Sequence, residues 1–155
     1  RVLFRSLQNI SLAMIRDMFG RLPFLDMDAE QAVAEEMIEE LNIKTPGKNA
    51  LVHGLSGGNQ QKVVIARWLA RETPVLVMDN VTRGIDIGAK EEVYRLLREL
   101  TDIGISIVLI GDEMPEVIGL SNRIAVMADG EFVGARVDAS PDDKPNENEL
   151  IQRMI

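Results

Sequence analysis

The string LSGGNQQK, residues 55–62, places a serine and two glycines directly ahead of a stretch with helical periodicity. At a helix start the first backbone N–H groups and the positive end of the helix dipole point outward together. Glycines let a phosphate approach without a Cβ in the way, and the Ser56 hydroxyl adds a donor. Ser56, Gly57 and Gly58 therefore read either as an anion-binding helix N-terminus or as a plain capped helix start, and these three residues alone leave both open. Further along, VLVMD (75–79) is an apolar run that ends in a carboxylate, as in a buried strand delivering Asp79 to its tip. The next residue, Asn80, is an amide and cannot take a proton, so it cannot itself serve as a general base. His53 is the only histidine and has no partner at ligand spacing, which argues against metal or acid–base work. Trp68 and the methionines Met14, Met18 and Met37 are expected in the core, although methionine-lined surfaces also suit a docked helix. Glu113 and Glu116 suit the start of a short helix.

These residues need elements to position them. Residues 7–43 read as helical, interrupted by Gly20 and Pro23 in GRLPFLD. The second helix, AEQAVAEEMIEEL (29–41), aligns Val33, Met37 and Leu41, and its acidic positions read as a solvated face. After residue 55 the order becomes loop, helix, the strand 75–79, the loop NVTRGID, a helix over 89–100 with Gly104 as its stop, and a second strand, ISIVLI (105–110). RIAVMADGEFVGARV (123–137) reads as two strands about Asp129-Gly130, a hairpin signal. SPDDKPNEN is a polar linker and ELIQRMI a closing helix. Strand–helix–strand order with continuous apolar strands implies an α/β fold with a parallel sheet covered on both faces.

A chain of 155 residues with 46% hydrophobic content can support one domain. Zero cysteines exclude a disulfide scaffold and cysteine metal sites. A net charge of −8 with no basic patch argues against nucleic acid as a partner. No apolar run is long enough to span a bilayer, and no signal-peptide pattern opens the chain. The opening RVLFRS can be written in codons that match the end of a common short-read sequencing adapter. It reads as an artefact over residues 1–6, against the plainer reading of an ordinary amphipathic start, and the chain is then expected to be a fragment beginning at Leu7.

The longer string LSGGNQQKVVIARWLA, followed by a loop and an apolar strand ending in aspartate, resembles the signature motif and Walker B region of ATP-binding-cassette ATPases. With TRGIDIGAK and EMPEV downstream it is similar to the C-terminal nucleotide-binding half of the tandem ATPase subunits of monosaccharide importers of the ribose, galactose and xylose type. The resemblance covers about residues 7–137. It implies a partial P-loop NTPase domain: a helical subdomain (7–54), a signature helix and α/β nucleotide-binding core (55–137), and a linker with a C-terminal helix (138–155). No G-x-x-x-x-G-K string followed by serine or threonine occurs in the chain. The core is therefore expected to lack its N-terminal phosphate-loop part and some strands, and the chain alone is expected neither to bind ATP tightly nor to hydrolyse it.

The resemblance also implies roles. Ser56, Gly57 and Gly58 would meet the γ-phosphate of ATP held by an opposite half, with Asn59 and Gln60 counted beside them as nucleotide-binding, while Gln60, Gln61 and Lys62 would have support and interface roles. Asp79 would hold Mg²⁺ through water, and Arg83, Gly84, Ile85 and Asp86 would form the D-loop at the dimer seam. Two positions depart from the family. Asn80-Val81 replaces the usual Glu-Pro, and Asp112 stands where active cassettes place a switch histidine. Loss of a general base typically costs ~10²–10⁴ in rate, so either the site is retired or Asn80 reflects drift or a sequence error. The implied function is an ATPase subunit driving sugar import, giving its signature in trans while its own site is degenerate. Its partners would be the other nucleotide-binding half, a membrane-spanning permease and, indirectly, a periplasmic sugar-binding protein, with the subunit peripheral on the cytoplasmic face of the membrane. The alternatives are a non-hydrolytic nucleotide-gated module, or a cassette protein of DNA repair or translation.

Overall fold

The structure is a computed structural model and describes residues 5–14, 26–133, 137–140 and 142–154. The expected break at Gly20 and Pro23, and Met18, lie outside the described residues. The chain divides into two compact units, residues 1–76 with 82–107 and residues 77–81 with 108–155.

In the first unit, α1 (Ser6–Ser11) runs into a 3-10 turn, Leu12–Met14. Helix α2 (Met27–Glu40) starts where Asp26 accepts from the N–H groups of Asp28 and Ala29 at 3.1 and 3.0 Å. It stops just before Asn42, whose φ of +47° leaves the helical region. Its buried stripe is Glu30, Ala34, Met37 and Leu41, so Val33 is only half-buried and the small Ala34 takes the central place. Glu35, Glu36, Glu39 and Glu40 form the exposed acidic face, but Glu30 leaves it: only 5% exposed, it accepts a 2.6 Å hydrogen bond from the Ser11 hydroxyl. A 3-10 turn, Val52–Gly54, leads to α3 (Gly57–Leu69), which packs on α1, α2 and α4 (Ile87–Asp102). Helix α4 buries Val93, Leu96, Leu97 and Leu100, the i, i+3, i+4, i+7 stripe of an amphipathic helix. It ends at Ile103, after which Gly104 turns at φ +97°, a conformation that a side chain would strain.

Arg67 of α3 clamps α1. Its Nε donates to the Asn9 carbonyl at 2.8 Å and its Nη2 to Asn9 Oδ1 at 2.5 Å, satisfying an asparagine that is fully buried. Burial lowers the Arg67 pKa from the ordinary arginine value. Trp68, expected in the core, is 49% exposed, because Val63, Ile65 and Ala66 occupy the inward face of α3.

Strands β1 (Val75–Asp79) and β2 (Ser106–Ile110) lie side by side. The Ser106 N–H donates to the Pro74 carbonyl at one end and the Asn80 N–H to the Ile110 carbonyl at the other, the ascending order of a parallel pair. The expectation of cover on both faces is corrected. Leu76 and Met78 are buried, but Val77 is 69% exposed and Val108 and Ile110 are half open to solvent.

The second unit holds α5 (Met114–Leu120) and a small antiparallel assembly. The expected hairpin is present but broken into an inner pair, β4 (Met127–Ala128) with β5 (Glu131–Phe132), and an outer pair, β3 (Arg123–Ile124) with β6 (Val137–Asp138). Asp129 and Gly130 turn at φ +50° and +82°, as a two-residue hairpin requires. Ile124, Val126, Val137 and Ala139 bury with Leu150 of α6 (Glu147–Met154), against Met114, Val117 and Ile118. No helix among the described residues is long and apolar enough to cross a membrane.

Candidate functional site

The signature turn belongs to the first unit. Ser56 is the exposed N-cap residue of α3, with extended backbone (φ −60°, ψ 155°), yet its side chain makes no capping hydrogen bond. The Gln60 N–H closes the first helical bond on the Ser56 carbonyl at 2.9 Å, which leaves the N–H groups of Gly57, Gly58 and Asn59 as the helix's opening donors. Asn59 is buried. Its Oδ1 accepts from the Lys44 backbone N–H at 2.7 Å and its Nδ2 donates to Ser56 Oγ at 2.8 Å. Gln60 is half-buried and donates through Nε2 to the Leu55 carbonyl at 2.8 Å. Both amides thus brace the turn, a use that residue type and spacing do not reveal, because two of the three partners are backbone groups.

Lys62 is buried one turn on. Its Nζ donates to the Asn42 carbonyl at 3.2 Å, at the negative end of α2, and lies 3.5 Å from Glu92 of α4. Lys44 pairs with the same glutamate at 2.8 Å. The Lys44 hydrogen bond holds the Glu92 carboxyl below its ordinary value, and the Lys44 and Lys62 charges add to that against partial desolvation.

The loop expected to be the D-loop, residues 83–86, meets the turn at residues 56–58 through Ile85. Gly84 turns at φ +75°, Asp86 caps α4 by accepting from the Ala89 N–H at 2.9 Å, and Arg83 is exposed. Ile85 lies over Gly57, where a Cβ would stand 3.5 Å from Ile85 Cγ2. Gly58 is tighter: its Cβ would stand 3.0 Å from the Ala89 Cβ on α4. A side chain at 58 would thus crowd α4, whereas one at 57 would make an ordinary contact.

The strand tip belongs to the second unit. Asp79 is exposed at the end of β1, and Asn80 follows at φ +48°, a left-handed position that asparagine tolerates better than most residues. The Asn80 side chain ties two strand ends together. Its Nδ2 donates to Asp79 Oδ1 at 3.1 Å and to Asp112 Oδ1 at 3.4 Å, while its Oδ1 accepts the Asp112 N–H at 3.0 Å. A glutamate there has no donor to make the first two bonds. Asp79 fits a Mg²⁺ held mainly by water and phosphate, since such an ion needs only one or two carboxylates from the protein. Among the described residues no group of three or more His, Asp or Glu gathers into a metal site, and His53 stands exposed in its 3-10 turn.

Residues 3–83 match the ABC transporter family. The chain is 43% identical over 145 residues to the ribose import ATP-binding protein RbsA of Hahella chejuensis, covering 94% of this chain and 28% of that protein. It is 46% identical over 131 residues to ribose import ATP-binding protein RbsA 2 of Mesorhizobium japonicum, covering 84% and 26%. The chain thus spans about a quarter of the length of the curated relatives it matches. Among solved structures it resembles the ATP-binding cassette MJ0796, a dimer in a post-hydrolysis state with ADP and Pi, at TM-score 0.70 and 26% identity, over 90% of this chain and 58% of that one. The cassette MJ1267 shares the fold at TM-score 0.77 and 20% identity, over 98% and 63%.

Proposed function

The chain belongs to the ABC transporter family, and from that premise we propose that it is part of an ATP-hydrolysing subunit that drives sugar import through a membrane permease. The names of its relatives support the sugar. The signature turn supports the mode of action: an exposed Ser56 without a capping bond, ahead of the Gly57, Gly58 and Asn59 N–H groups that precede the first helical hydrogen bond. Such a turn offers its donors outward, to a γ-phosphate held by a second nucleotide-binding half. Arg83 to Asp86, close to that turn, would lie at the same seam, and Asp79 would hold Mg²⁺ through water beside a nucleotide of its own. The bound ion would neutralise phosphate charge there.

The observation that carries the asymmetry is the Asn80 bridge. An amide engaged by Asp79 and Asp112 neither takes a proton from water nor swings freely, so hydrolysis at this chain's own site is slow. In this reading the subunit contributes in trans, within a tandem or dimeric ATPase, on the cytoplasmic face of the membrane, with a periplasmic sugar-binding protein delivering cargo to the permease. This chain alone does not turn over ATP. The same bridge favours a second reading, a nucleotide clamp that never hydrolyses.

ATP hydrolysis by the full-length protein, reconstituted with its permease, separates the two. Ser56→Ala is expected to lower the rate on the order of 10²-fold, the usual cost of removing one preorganised donor. Asn80→Ala is expected to cost far less than loss of a working general base. A full-length protein that binds ATP but shows no turnover would establish the clamp instead.

A further inference from the structure

We propose that Asn59 is a positioning residue that fixes the direction in which the Ser56 hydroxyl donates, and that its side chain makes no contact with nucleotide; this rests on the signature reading above. The orientation of the Asn59 amide follows from its partner. A backbone N–H can only donate, so the atom 2.7 Å from the Lys44 nitrogen must be the amide oxygen. The NH₂ group therefore faces Ser56 Oγ, at 2.8 Å. An NH₂ only donates as well, which makes Ser56 Oγ the acceptor and leaves the single hydroxyl proton for a different partner.

Ser56 also forgoes the usual N-cap bond. A serine in that place ordinarily accepts from the second or third N–H of the helix. Here Ser56 makes no such bond, so the opening N–H groups of α3 and the hydroxyl proton are all left to be offered together. Asn59 has little surface to offer a ligand, being 6% exposed, and both ends of its amide are already engaged. The effect of its side chain on an anion at this turn must run through Ser56.

The test inverts one hydrogen bond. In Asn59→Asp, one carboxylate oxygen still accepts from the Lys44 N–H, while the other accepts from Ser56, so the hydroxyl proton turns inward. ATP hydrolysis is measured in the full-length protein with its permease for Asn59→Asp, Ser56→Ala and the double variant, with circular dichroism to follow folding. The expected result is a loss for Asn59→Asp comparable to that for Ser56→Ala, on the order of 10²-fold, and no further loss in the double variant. A general weakening of the fold, or repulsion between the new carboxylate and phosphate, lowers the rate in both backgrounds equally. Additive losses would therefore overturn the proposal. If Asn59→Asp fails to fold, Asn59→Ser supplies the same cycle, because serine is too short to reach from Lys44 to Ser56. A silent Ser56→Ala sinks the signature reading itself, whereas a damaging Ser56→Ala beside a silent Asn59→Asp sinks only the role of Asn59.

Discussion

The two signature glycines should respond to alanine in opposite ways. At Gly58 the new Cβ would stand 3.0 Å from the Ala89 Cβ and 3.4 Å from the Ala89 carbonyl oxygen. Both belong to the body of α4, which cannot swing aside as a side-chain end can. Overpacking of this kind costs ~1–3 kcal/mol. Against it stands the helix preference for alanine over glycine, at most ~1 kcal/mol. The net loss at Gly58 is therefore about 1 kcal/mol. At Gly57 the nearest atom is 3.5 Å away, an ordinary contact, so only the gain remains. The gap between the variants is roughly 2 kcal/mol, and at ~2–4 °C per kcal/mol for a chain of this size, Gly58→Ala should unfold roughly 4–8 °C below Gly57→Ala. Thermal denaturation followed by circular dichroism reads this directly. Placing Gly58→Ala in an Ala89→Gly background should recover about 1 kcal/mol of coupling. Equal midpoints for the two variants, or the same cost in both backgrounds, would refute the packing argument. Any requirement for glycine at 57 is then for the anion, and should appear in hydrolysis rather than in stability.

Three further outcomes are expected. Arg67→Lys keeps the charge but cannot fork onto the Asn9 carbonyl and side chain, so it should cost ~1–3 kcal/mol and speed hydrogen exchange in α1 before the rest of the first unit. Glu92 has a carboxyl held low by Lys44, so its contribution to stability is present above the unfolded pKa of ~4.3 and is lost as pH falls through the lower folded value. Glu92→Gln should therefore flatten the acid limb of a stability–pH curve, modestly, because this group is about a third exposed and screened by water. Asn80→Leu removes the acceptor for the Asp112 N–H and places a bulky residue at positive φ. The Asp112 amide should then exchange about tenfold faster, for a local loss of about 1.4 kcal/mol; unchanged exchange would mean that the bridge holds nothing.

Much of this architecture is local, and local features were legible in the sequence. The strand ending at Asp79, the stop at Gly104 and the Asp129-Gly130 turn each follow from a few neighbouring residues whose backbone preferences agree. The misreadings fall where a distant group changes the meaning of a polar or aromatic residue. Glu30 looked solvated because its partner, Ser11, lies nineteen positions away. Trp68 looked buried because size suggests core, but a helix that meets three others through Val63, Ile65 and Ala66 has no room for it there. The part of Asn59 in bracing the turn was hidden for the same reason, because the Lys44 N–H that fixes its orientation belongs to another segment.

The same logic bears on Asn80 and Asp112, which read singly as two defects. Thirty-two positions apart, they are complementary. Asp112 offers one acceptor and one backbone donor, and Asn80 offers a donor and an acceptor to match. A glutamate restored at 80 would set a third carboxylate against Asp79 and Asp112 and lose both of the bonds in which Nδ2 donates. A histidine restored at 112 would remove the carboxylate that receives the second of them. Each departure is thus a poor substitute by itself and a good partner for the other. This fit supports the proposed reading, in which Asn80 and Asp112 hold two strand ends together rather than serve turnover. Restoring activity should accordingly require both changes together, Asn80→Glu with Asp112→His, in a full-length protein with an intact phosphate loop facing this tip. A gain of hydrolysis from Asn80→Glu alone would show that Asp112 never constrained it.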